Sequence, residues 1–168
     1  MPEKKTLEAA REDAREGKSP STQAGEFVRE EMDHIREGKH GARSTKQAIA
    51  IGLSKARRAG VKLPPPKAGR ASSQVRRKAE RDLSKGERGS SKPSSTRSRA
   101  TAKALKREGH SAASKTSLAR QARNSARARG SAARHQAAEK AVRTKGEAGL
   151  KKAAQKAART RARERRAA

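Results

Sequence analysis

The chain has 168 residues, 45 Lys and Arg against 17 Asp and Glu, a formal charge of +28 and a pI near 11.7. Leu, Ile, Val and Phe together number 15 of 168, with one Phe and no Trp, Tyr or Cys. A single core spanning the chain, disulfides and thiol chemistry are thereby excluded. No run approaches the ~18 apolar residues of a membrane span, and the N-terminus has no signal-peptide core, so the expected compartment is the cytoplasm.

The charge is uneven. Residues 1–66 hold 14 Lys/Arg and 10 Asp/Glu, a net of +4; residues 67–168 hold 31 and 7, a net of +24. The first segment also holds 9 of the 15 large apolar residues. The chain therefore divides near the proline run 64–66 into a small helical module (1–66), a linker with one helix (67–100) and a basic, Ala/Arg-rich tail (101–168). The expected fold class is all-α, a helical hairpin or three-helix module followed by a tail that is conditionally helical or disordered. A charge this large selects polyanions as partners.

Residues 6–16 read as a short helix with Thr6 as N-cap and Gly17 as stop, offering Leu7, Ala10 and Ala14 to a neighbour. Ser19-Pro20 opens a second helix that runs to about residue 37, ahead of Gly38. On a helical wheel Ala24, Phe27, Val28, Met32 and Ile35 form one apolar stripe, with Glu31 the single intruder. Glu26, Glu30, Asp33 and Glu37 lie opposite, with Arg29 and Arg36.

The stretch 41–66 carries the clearest local signals. Ser44-Thr45-Lys46-Gln47 fits a capping box, in which the Ser hydroxyl and the Gln side chain each satisfy a backbone donor. The helix should run over 44–59. Gly60 suits the left-handed position after it, with Val61 folding back on Ala56. Ala48, Ile49, Gly52, Leu53, Ala56 and Ala59 form its apolar face. That stripe matches the one on 24–35 in width, so the two are expected to pack together, with Gly52 allowing close approach.

Past the prolines, 72–85 reads as a helix with Val75, Ala79 and Leu83 on one face, and 86–99 as a low-complexity linker. Residues 101–108, 114–129, 132–145 and 149–166 are Ala- and Arg-rich helix candidates punctuated by Gly109, Gly130 and Gly146. Like charges at i, i+4 oppose these helices in isolation, and phosphate would relieve them. Helix gained on binding a polyanion is expected.

Catalytic chemistry is not expected. His34, His40, His110 and His135 are scattered, without cysteine and without a His-x-x-x-His spacing, and read as solvated. No nucleophile elbow or phosphate-cradling Gly-x-x-x-x-Gly-Lys occurs. No metal or cofactor is expected, and the chain reads as a non-enzyme. The cations remain as the candidate nucleic-acid-binding set: Arg43, Lys46, Lys55, Arg57, Arg58 and Lys62 around the 44–59 helix, and Arg120, Arg123, Arg127, Lys152, Lys156, Arg159 and Arg163 in the tail. Binding would release counterions from phosphate and carry little specificity. With no aromatic in the tail, stacking on single strands is disfavoured. Two arrangements stay open for 44–59. It is either the second helix of a helix-turn-helix-like pair, with Lys46, Gln47, Ser54, Arg57 and Arg58 facing a groove, or one half of a hairpin whose polar side is only solvated.

The pattern R-S-x-K-Q-A-I-A-I-G-L-S-x-A-R-x-A-G-V at 43–61, with its preface over 18–28 and 36–40, resembles a family of small basic bacterial proteins of unknown function. Members are labelled DNA-binding on their basicity. The resemblance implies a bacterial origin and a DNA-binding role, and brings no functional residues with it. The tail resembles in composition the arms of histone-linker-like nucleoid proteins. The expectation is thus a nucleoid-associated, non-enzymatic, low-specificity DNA-binding protein. An RNA- or ribosome-associated basic protein and an adaptor using the apolar faces of 24–59 are the alternatives; membrane binding is not expected.

Overall fold

The computed structural model describes residues 2–89 and 94–166. All its regular elements are helical: α1 (Lys4–Arg15), α2 (Pro20–Arg36), α3 (Thr45–Arg58), α4 (Ser73–Glu87), α5 (Ser95–Lys106), a 3-10 turn (Ser111–Ala113) and a long helical run, α6 (Lys115–Arg166). Two compact units divide the chain, Met1–Gln121 and Ala122–Ala168. The first reaches well past the boundary expected at residue 66.

The α2 and α3 stripes pack on one another. Ala24, Phe27, Ala56 and Val61 form one cluster with Ala10 of α1; Met32, Ile35, Ala42 and Ala48 form a second. Gly52 lies at the crossing, where a Cβ would stand 2.7 Å from the Val28 Cα. The small residue thus sets the helix separation. At the start of α3, Ser44 Oγ accepts the Gln47 N–H at 3.2 Å. The Gln47 side chain accepts the N–H of Arg43 at 2.9 Å, one residue ahead of the one a capping box would use. At its end Gly60 takes φ +94°, and the Val61 N–H donates to the Ala56 carbonyl at 3.1 Å.

α1 begins at Lys4, with Glu3 in the N-cap position in place of Thr6. Its buried face is Thr6, Ala10 and Asp13, and Ala14 is exposed. Asp13 keeps a partner, Lys18 Nζ at 2.7 Å.

The region read as a linker is largely helical. α4 docks on α3, burying Ala79 and Asp82. Residues 95–99, inside the expected low-complexity segment, begin α5; positions 90–93 of that segment lie outside the described residues. Past α5 the chain closes the second cluster. Ala112 and Ala113 of the 3-10 turn are buried against Ile35 and Ala48, with Leu118 beside them. Thr45 Oγ1 donates to the Ala112 carbonyl at 2.7 Å and Arg36 Nε to that of Ala113 at 3.1 Å. The Gly41 and Ala42 N–H groups donate to the carbonyls of Leu105 and Gly109 at 2.9 and 3.0 Å.

Residues 115–166 are helical except at Gly130 and Gly146, which take φ +76° and +62° with extended ψ. That combination is open essentially to glycine alone. The breaks fall at two of the expected punctuation points.

Candidate nucleic-acid interface

The α3 cations separate into two groups. Arg43, Lys46 and Lys62 are exposed. The other three are engaged within the protein. Arg57 is buried, its Nε donating to the Leu63 carbonyl at 3.1 Å and its Nη2 to that of Pro64 at 3.2 Å. Burial lowers the pKa of this guanidinium from its ordinary value, against the pull of Asp82. Arg58 Nε donates to Asp82 Oδ1 at 2.7 Å, and Ser54 Oγ to Asp82 Oδ2 at 2.5 Å. Lys55 Nζ stands 2.6 Å from Glu31 Oε2 and 3.5 Å from Glu30 Oε1.

The groove-facing surface of Lys46, Gln47, Ser54, Arg57 and Arg58 is therefore not available as a set. α4 covers its C-terminal half. Asp82 is 3 % exposed, and a carboxylate so buried must be met by donors, which Ser54 and Arg58 supply. Ser54, Arg57 and Arg58 on that side are met by protein groups rather than by water alone.

α4 brings cations of its own. Arg77, Arg81, Lys85 and Arg88 recur at i, i+4, i+8 and i+11, within about 80° of arc on the side away from Ala79, Asp82 and Gly86. All four are exposed, and Lys78 beside them is exposed as well. Because α4 is fixed on α3, this row has a defined geometry. The sequence showed these residues; only the docking of α4 distinguishes them from tail charge.

In the tail, Arg120, Arg123, Arg127, Lys152, Lys156, Arg159 and Arg163 are all exposed. Residues 122–168 contain 15 Lys/Arg and 3 Asp/Glu, a net of +12. Each described Lys and Arg side chain from Arg123 to Arg165 is exposed. Lys152, Lys156, Arg159 and Arg163 share one face of the last helical segment.

A second charged cluster lies inside the first unit. Glu30 is buried, although its sequence position suggested the outer acidic face. Its Oε2 accepts the N–H of Glu3 at 3.3 Å, so the start of α1 covers it. Glu31, the intruder on the apolar stripe, is fully buried. His34 and His40 are not the solvated side chains expected; their side chains are 13 % and 16 % exposed. Their rings meet edge to face, with centroids 6.0 Å apart. His34 Nε2 lies 2.8 Å from Glu3 Oε1, which also takes Lys39 Nζ at 3.1 Å. These contacts, His34 first, hold the Glu3 carboxyl below the usual carboxylate range. Glu31 breaking the apolar pattern three residues before His34 was the legible signal. That His40 returns to the same spot depends on the turn after α2 and is not encoded in any spacing.

Helical packing, a buried acid–imidazole cluster and exposed basic rows define an all-α protein built around α2 and α3. Residues 15–67, from the end of α1 through α3 to the proline run, match the model of a family of unknown function, DUF6496. The chain is similar to that family over less than half its length. No curated protein and no solved structure matches it. Among the described residues no helix is long and apolar enough to cross a membrane.

Proposed function

We propose that the protein binds DNA without catalysis and with low sequence specificity, in the manner of a nucleoid-associated protein, by neutralising phosphates. The observation that carries this reading is the net +12 over residues 122–168, on helical segments whose described cations all face solvent. Such a surface attracts a polyanion by counterion release. The exposed row Arg77, Arg81, Lys85 and Arg88 adds a fixed contact in the first unit. An adaptor using the apolar faces of 24–59 fits less well, because Phe27 with Ala56 and Ile35 with Ala48 are already buried in the two core clusters.

Fluorescence anisotropy with a labelled duplex tests the reading. Six to ten phosphate contacts predict a loss of roughly 10³–10⁵ in affinity between about 50 and about 200 mM salt. A chain ending at Gln121 should lose most of that slope. A flat salt dependence, or an unchanged slope in the shortened chain, would overturn the proposal. Competition by structured RNA at equal phosphate concentration separates DNA from RNA as the preferred polyanion.

A further inference from the structure

We propose that Glu31, His34 and His40 form a binding site for a divalent transition-metal ion of the zinc class. The three residues each offer a ligand atom, and these atoms all lie within 4.8 Å of one another. Two imidazoles and a carboxylate are a donor set that zinc takes readily.

The tautomer of His40 carries the argument. His40 Nδ1 lies 3.0 Å from the Gly41 carbonyl oxygen. A carbonyl only accepts, so Nδ1 bears the proton and donates. In the neutral ring Nε2 is then a lone pair, and it lies 3.3 Å from Glu31 Oε1. Two acceptors face one another, and a cation belongs between them. A histidine that donates one ring N–H to a backbone carbonyl while presenting the other nitrogen is the usual outer arrangement of a metal-bound imidazole.

Glu31 supplies the independent observation. Its side chain is fully buried, and neither carboxylate oxygen has a hydrogen-bond partner. Lys55 Nζ sits 2.6 Å from Oε2, at an angle outside hydrogen-bonding range. It balances charge on that oxygen and leaves Oε1 turned toward His40. Around the site, Glu3, Glu30, Glu31 and Glu37 face Lys39 and Lys55, so with neutral imidazoles negative charge is in excess. A divalent ion offsets that charge at a place where buried charge is costly.

A tetrahedral ion with bonds near 2.1 Å wants its ligand atoms roughly 3.4 Å apart, so the three must draw together by about an ångström. His34 and His40 are each slightly open to solvent, which gives the ion a way in. His34 would exchange its contact with Glu3 for the metal.

The competing occupant of the gap is a proton on His40 Nε2. Calorimetric titration of the untagged full chain with Zn²⁺, at a pH where imidazole is neutral, decides between them. One saturable site per chain is expected, with His34→Ala and His40→Ala each weakening it at least about tenfold. His135→Ala, in the tail, should leave it unchanged. Co²⁺ in place of Zn²⁺ should give the visible absorption of a tetrahedral nitrogen and oxygen site. X-ray absorption of the zinc-loaded wild-type chain should show two imidazoles, a readout that needs no variant to fold. Absence of saturable binding, equal affinity in His40→Ala at wild-type helicity, or a zinc shell without imidazole would overturn the proposal.

Discussion

Gly86 of α4 rests against the main-chain carbonyl of Arg57 in α3, and a Cβ at position 86 would collide with that oxygen. The two helix ends meet backbone to backbone, which is what lets α4 reach the far side of α3. Alanine ordinarily improves a helix interior by up to about 1 kcal/mol over glycine. At position 86 the added methyl must push the helices apart. Gly86→Ala is expected to lose about 1–3 kcal/mol in urea denaturation. Gly25→Ala, on α2 with nothing within 4 Å of its Cβ, should instead gain a fraction of 1 kcal/mol. Equal effects at the two sites would refute the close contact.

Asp82 holds α4 in place through two donors on α3. Asp82→Asn keeps the shape and removes the charge that Ser54 and Arg58 address. A loss of about 2 kcal/mol is expected, in the range of hydrogen bonds to charged groups. Hydrogen exchange should show α4 opening more readily while α2 and α3 stay protected. Uniform exchange across all three helices would contradict this assignment.

Arg57 is a structural cation, and its replacement should separate stability from binding. Lysine has no planar fork with which to serve the Leu63 and Pro64 carbonyls together. Arg57→Lys is expected to cost about 1–2 kcal/mol in stability. Duplex affinity should stay unchanged while the protein is folded. Arg77→Gln with Arg81→Gln should do the reverse. A fall in affinity for Arg57→Lys at full folding would return it to the interface.

The pH dependence has a definite sign at both ends. His34 and Lys39 depress the Glu3 pKa below 4.5, so its contribution is complete above that value and is lost as pH falls through the lowered folded pKa. Glu37 and then Glu3 raise the Lys39 pKa above 10.5, so its contribution is complete below that value and fades as pH rises through the raised folded pKa. Stability to thermal unfolding should therefore fall toward both extremes, and Glu3→Gln should flatten part of the acid limb. An acid limb identical in Glu3→Gln would show that Glu3 plays no part in it.

The tail should respond to polyanions. A peptide of residues 122–168 carries like charges at i, i+4, including Lys152 with Lys156 and Arg159 with Arg163, which oppose helix in dilute salt. Its circular dichroism should gain helical signal when duplex DNA or polyphosphate is added. An unchanged spectrum at saturation would mean that phosphate does not support the helix.

Much of the first unit was legible in the residues. Alternating apolar stripes, Ser44 as a cap, Gly60 as a stop and Gly52 at a crossing are local or pairwise signals, and each corresponds to a feature of the α2–α3 pair. What escaped is what depends on backbone meeting backbone. The docking of α4 turns on Gly86, Ser54 and Asp82, none of them large or apolar. The 3-10 turn closes the core with Ala112 and Ala113, which composition alone reads as tail. Alanine buries little area per residue and so gives a weak pattern, yet two alanines suffice where the space left by Ile35 and Ala48 is small. His34 and His40 were missed for a related reason: their proximity is a property of the turn between α2 and α3.

Gly130 and Gly146 divide the C-terminal run into helical pieces of 115–129, 131–145 and 147–166. At about 1.5 Å per residue these are rods of roughly 23, 23 and 30 Å. One turn of a DNA duplex rises about 34–36 Å. No rod outlasts a single turn, so a straight helix need never run tangent to a curving backbone for longer than the curve allows. A tail of the same charge without the two glycines would be one stiff bar, able to touch phosphates on one side of a duplex and then forced away from it. On the proposed DNA-binding reading, the joints would make the length of the tail usable.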